Sequence, residues 1–107
     1  MKRTIFLLLS LALFINSLPA MAGEHEVGQK NKTFTAEQLK VKIGDTVKFT
    51  NEDPFYHNIF SLSKVKSFDL GSFKKGKSRT ITFSKAGKVD VECAIHPEMH
   101  MVIEVSE

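Results

Sequence analysis

Apolar and polar side chains alternate in short runs between turn signals, and this period of two limits the available folds more than any other feature of the chain. Leu39, Val41 and Ile43 alternate with Lys40 and Lys42 before Gly44-Asp45, and Val47 and Phe49 alternate with Lys48 and Thr50 before Asn51-Glu52-Asp53-Pro54. Ile81 and Phe83 alternate with Thr80 and Thr82 ahead of a turn at Ala86-Gly87. Val89, Val91 and Cys93 share one parity against Asp90 and Glu92, while Met99, Met101, Ile103 and Val105 oppose His100 and Glu104. The run from His57 to Leu62 is mixed, and Phe34 fits an edge strand nearer the N-terminus. No window carries a helical period of ten residues or more. Ala36 to Lys40 has helical propensity but is too short to hold a helix. Ser63 to Ser78, rich in Gly, Ser and Lys, reads as a long connection crossing the fold. Six or seven short strands therefore predict an all-β, antiparallel Greek-key sandwich.

The first 22 residues do not belong to that pattern. Met1-Lys2-Arg3 is a positive n-region, Thr4 to Ile15 an apolar stretch too short to span a bilayer, and Ala20-Met21-Ala22 a small–x–small cleavage pattern. Residues 1–22 are thus expected to be a signal peptide, and residues 23–107 a single domain exported to the periplasm. The whole chain has a net charge of +3, and the N-terminal Lys2 and Arg3 account for most of it. The domain itself is close to neutral, which argues against a nucleic-acid binder. Its size supports one core that buries about 60–65% of the unfolded surface. A single cysteine excludes an intramolecular disulfide, so a metal is the remaining staple to look for.

Cys93-Ala94-Ile95-His96-Pro97-Glu98-Met99, with His57 upstream, carries the chemistry. A thiolate and a thioether are soft donors suited to Cu(I), and imidazole suits both copper oxidation states. Two His, one Cys and a weak axial Met form a trigonal site that changes little when the metal gains or loses an electron. Cys93 closes an apolar strand, so its sulfur points inward, and two successive three-residue steps let one loop wrap a single ion. Pro97 stiffens that loop. Met101 has the same parity as Met99 and remains open as an alternative axial donor. Met99 is favoured because Met101 fits the inward row that runs into Ile103 and Val105.

With these residues in view, the chain resembles the cupredoxin, or blue-copper, family, in particular its small plastocyanin- and amicyanin-like members. The resemblance is carried by Gly44-Asp45-Thr46-Val47, His57-Asn58-Ile59, Phe68-Asp69-Leu70-Gly71 and the Cys93–Met99 loop, which together span most of the domain. It implies an eight-strand-type sandwich with one type 1 copper ion at one end, held by His57, Cys93, His96 and Met99, and one-electron transfer to protein partners. It also gives Asn58 a hydrogen bond across to the Cys93 loop. At this length the domain is short for the family, and a peripheral strand is expected to be missing.

Three further readings follow from the residues. Lys64, Lys66, Lys74, Lys75, Lys77 and Arg79 form a basic stretch, read either as a solvated surface or as a docking patch for an acidic redox partner. Phe55, Tyr56, Ile95 and Pro97 flank the ligand loops and would frame the exit for electrons as a small, transient interface of a monomer. Cleavage after Ala22 would leave Gly23-Glu24-His25 as a terminus able to chelate Cu(II) through amine, amides and imidazole. The alternative to electron transfer is copper handling, as a periplasmic chaperone or buffer. An enzyme is disfavoured, since the paired His-x-His motifs of a multicopper oxidase are absent.

Overall fold

The computed structural model describes residues 22–107, so the expected signal segment lies outside the described residues except for Ala22. Among the described residues nine strands follow one another: β1 (Glu24–Lys30), β2 (Thr33–Phe34), β3 (Gln38–Lys42), β4 (Thr46–Asn51), β5 (His57–Leu62), β6 (Ser67–Phe73), β7 (Ser78–Thr82), β8 (Gly87–Glu92) and β9 (His100–Ser106). They form two sheets, ordered β2-β1-β4-β7 and β3-β9-β8-β5-β6. The inward rows of both sheets close on one core that includes Val47, Phe49, Ile59, Phe83, Val89, Val91, Met101 and Ile103. At roughly 25 cal/mol per Å² of apolar surface removed from water, such residues supply the main drive for folding.

The expected sandwich is present, with three differences in detail. The pairs β1–β4 and β3–β9 are parallel, so the sheets are mixed and not purely antiparallel. Despite the domain's shortness nine strands are present, with Phe34 in the two-residue edge strand β2 as expected. Ser63 to Ser78 is not one long connection. It contains edge strand β6, which pairs with β5, and a tight turn into β7. Asn58 faces Ser72 while Phe60 faces Asp69, so β6 carries an extra residue where Gly71 takes φ +78°. This bulge shifts the parity of the partly or fully buried side chains from Phe68 and Leu70 to Phe73 and hides the strand from a period-two search. The Asp69 carboxylate steadies it by accepting the Gly71 amide at 2.9 Å.

Strand polarity gives the sandwich two distinct ends. The β1–β2, β4–β5, β6–β7 and β8–β9 connections gather at one end, as the pairings Gln29–Asn51, Thr50–Ser78, His57–Phe73 and Glu92–His100 require. The connections around Gly44, Lys64 and Lys85 lie at the other. There the buried carboxylate of Asp45 accepts the amides of Gly23 (2.7 Å) and Lys42 (2.9 Å) and meets His25 Nε2 at 2.9 Å. The Lys42 amide, then the Gly23 amide, then His25 hold its carboxyl down from the ordinary 3.8 to about 2.

Candidate metal centre

Cys93 follows directly on β8 and continues its inward parity, which places the thiol at the edge of the core with 1% exposure. His57 opens β5 and alternates inward with Ile59 and Ser61, so its imidazole is fully buried. The intervening loop folds back as a turn in which the Met99 amide donates to His96 O at 2.9 Å. Pro97 occupies the second position of that turn, where its fixed φ is already correct. The turn brings half-buried His96 back over Cys93.

The side chains converge. Sγ of Cys93 lies 3.8 Å from Nδ1 of His57 and 3.8 Å from Nδ1 of His96. The three donor atoms all stand within 4.8 Å of one another. Metal–nitrogen and metal–sulfur bonds of about 2.0 and 2.3 Å, opened to trigonal angles, separate nitrogen from sulfur by about 3.8 Å. The protein alone therefore already holds the spacing that a first-row ion needs, and the soft thiolate with two imidazoles fits copper.

His57 is held from behind. Its Nε2 lies 2.7 Å from Oδ2 of buried Asp53. Burial opposes the charge on Asp53, but His57 and the amides of Lys32 and Asn31 hydrogen-bond to it and hold its carboxyl below the ordinary value. An ionised carboxylate can only accept, so Nε2 carries the ring proton and the Nδ1 lone pair is left facing Sγ. The same carboxylate accepts the Asn31 amide at 2.7 Å and the Lys32 amide at 3.0 Å, and both of those residues have left-handed backbones. Asn58 performs the role expected of it, its Oδ1 accepting the Ala94 amide at 2.7 Å and fixing the residue after Cys93.

Phe55 packs edge-on against His57, with ring centroids 5.3 Å apart, and tilted against His96 at 5.2 Å. Tyr56 and Ile95 are 56% and 48% exposed beside them. Met99 is buried at the end of the loop, whereas Met101 lies within β9 opposite Val91 in the sheet. His100 is exposed and meets Asp90 at 3.1 Å.

Two residues of this centre escaped the sequence reading, which gave Asn51 and Asp53 only a turn. Asn51 is fully buried and donates through Nδ2 to Phe55 O (2.8 Å) and Phe73 O (3.0 Å). A carboxylate four residues ahead of the candidate ligand His57, across a proline turn, was the available signal for Asp53. The reading of Gly23-Glu24-His25 as a Cu(II) chelate is not supported. Glu24 and His25 lie in an extended strand paired with Thr46 and Val47, and the imidazole is engaged with Asp45. A square-planar chelate would need both amides turned inward on one ion.

Residues 21–106 match the profile of copper binding proteins of the plastocyanin/azurin family. The chain is 33% identical to the methylamine utilization protein MauL of Methylorubrum extorquens over 99% of its own length and 94% of that protein. It is 32% identical to amicyanin of Paracoccus denitrificans over 62% of its length and 53% of that protein. An oxidised amicyanin variant superposes with a TM-score of 0.73 at 29% identity, over 78% of this chain and 83% of that one. A copper-containing nitrite reductase from Thermus scotoductus gives a TM-score of 0.73 at 28% identity, but the 84% of this chain that matches spans only 23% of that protein.

Proposed function

The chain belongs to the plastocyanin/azurin family of copper-binding proteins, and from that premise we propose that it is a type 1 copper electron carrier whose ion is held by His57, Cys93, His96 and Met99. Bound copper supplies a one-electron Cu(II)/Cu(I) couple. The observation that carries the reading is the convergence of a buried thiol and two imidazole nitrogens at ligand spacing. Met99 joins them as the axial donor because it lies buried in the ligand loop, while Met101 is committed to the sheet.

The protein's part is to keep these donors still. Asp53 fixes the ring of His57, Asn58 ties down the chain after Cys93, and the proline turn sets His96. Ligands anchored in this way move little between oxidation states, so little of the driving force goes into rearrangement. His57 is sealed inside, whereas His96 is half-buried beside exposed Ile95 and Pro97, which makes its ring edge the route for electrons. No substrate is turned over. The carrier acts as a monomer between redox proteins in the periplasm, reached through residues 1–22 as a signal peptide.

Voltammetry of the copper-loaded protein tests this reading. A reversible one-electron wave with unchanged copper content after many cycles supports a carrier. Rapid loss of Cu(I) to a competing chelator, with no reversible wave, would assign the protein to copper handling.

A further inference from the structure

The structure divides the basic residues between the two ends of the sandwich. Lys64 and Lys66 sit in the β5–β6 turn at the end away from the metal centre, since Leu62 pairs with Ser67 there. Lys74, Lys75 and Lys77 lie in the β6–β7 turn, directly after Phe73, which pairs with His57. Lys30 and Lys32 flank the β1–β2 turn at the same end, and Lys32 Nζ stands 5.7 Å from the ring of Phe55. Arg79 is already engaged: its guanidinium stacks on Phe73 and donates to the carbonyls of Leu70 and Ser78.

Both turns are tied to the segment that builds the centre. The Gly76 amide donates to Asn51 O at 2.7 Å and the Asn51 amide to Lys77 O at 3.0 Å, while Asp53 binds the amides of Asn31 and Lys32. The lysines are therefore carried on fixed backbone and are not scattered on loose loops. Ion pairs among the described residues are all between histidine and aspartate, so these five exposed ammonium groups are not neutralised within the chain. Glu52, between the two turns, lies against Gly28 of β1. At the same end Glu37 and Glu98 line a cleft with Thr33, Phe34, Met99 and His100.

We infer that the flank formed by Lys30, Lys32, Lys74, Lys75 and Lys77 is the docking surface for a redox partner whose electron-exchange site is ringed with carboxylates. The inference rests on the electron-carrier reading and specifies its partner. Uncompensated charge at the end that carries half-buried His96 attracts an acidic face to that end of the molecule. Such charge arrangements act mainly on the rate of encounter and on specificity. The small apolar area around Tyr56 and Ile95 then makes the short-range contact.

The test compares two variants with identical charge change. One carries Lys74→Glu, Lys75→Glu and Lys77→Glu; the other carries Lys64→Glu, Lys66→Glu and Lys88→Glu at the far end. Poly-L-glutamate titrated into isotopically labelled, reduced protein should shift the amides of residues 30–32 and 74–77, leaving 63–66 and 85–88 unmoved. Oxidation of the reduced protein by hexacyanoferrate(III) should slow about tenfold or more at low ionic strength in the first variant and less than about twofold in the second. Tris(phenanthroline)cobalt(III) should show the opposite preference. Equal slowing in both variants would mean that only net charge matters and would overturn the docking surface. Binding to phosphatidylglycerol vesicles without binding to poly-L-glutamate would overturn it in favour of a membrane contact. Failure of both oxidants to react would instead remove the electron-carrier reading, and the docking surface with it.

Discussion

Asp53 and His57 form a buried pair, with Oδ2 2.7 Å from Nε2 and both side chains at 5% exposure or less. Asp53 also anchors the β1–β2 turn through two amides, so a single carboxylate aligns the imidazole that faces Cys93 Sγ and one of the lysine-bearing turns. Carboxylate partners of this kind fix the tautomer and raise the basicity of a ligand histidine.

Asp53→Asn should lower copper affinity by about 10- to 100-fold, measured by competition with a chelator of known strength, while the visible colour of the loaded protein persists. Asp53→Ala should do the same and also unfold at a lower temperature, because the Asn31 and Lys32 amides lose their acceptor. Unchanged affinity in both variants would show that packing alone orients His57.

Substitution separates the roles proposed for the two methionines. Met99→Leu should keep the colour but raise the reduction potential, since the axial donor tunes the potential of such a centre. Met101→Leu should leave spectrum and potential unchanged and cost less than about 1.5 kcal/mol in unfolding free energy, as a volume-conserving change inside β9. If Met101→Leu shifts the potential and Met99→Leu does not, the axial assignment is reversed.

Asp45 sets an acid limit at the opposite end. Its folded-state value of about 2 lies below the ordinary 3.8, so the native state binds this proton less readily than the unfolded chain. Its contribution is complete above about pH 5 and is lost as pH falls from about 4 towards 2. Melting temperatures of the wild type and Asp45→Asn should therefore differ by a constant amount near neutrality and converge on acidification. A gap that widens as pH falls would contradict the assignment.

Copper should raise the melting temperature, because it binds the folded chain. At a free concentration 100 times the dissociation constant, the expected gain is about 2.7 kcal/mol. Calorimetry with and without copper measures it, and Cys93→Ala should show most of that gain removed.

Much of this was legible in the residues. Alternation marked the strands around Val41, Phe49, Ile81, Val91 and Ile103, because each has one face in the core and one in water. The metal motif was legible because its donors are chemically distinctive and closely spaced. The bulge at Gly71 concealed β6 by breaking the alternation. In β5 the inward row contains His57 and Ser61, so polarity no longer reported burial. The parallel pairings β1–β4 and β3–β9 depend on how strands from distant parts of the chain assemble, which no local pattern records. Asp53 was missed for a related reason, since in a turn that also contains Pro54 a carboxylate reads as turn chemistry. Only the folded chain shows its oxygen turned inward onto His57. The basic stretch from Lys64 to Arg79 read as one patch until the β5–β6 hairpin placed its two halves at opposite ends.

The visible and electron paramagnetic resonance spectra of the Cu(II)-loaded protein, recorded beside those of Cys93→Ala, test the central claim most directly. A shared centre built on Cys93, His57 and His96 predicts an intense thiolate-to-copper charge-transfer band and narrow copper hyperfine splitting, both absent from the variant. A wild-type protein that binds Cu(II) without that band, or a Cys93→Ala protein that keeps it, would contradict the account.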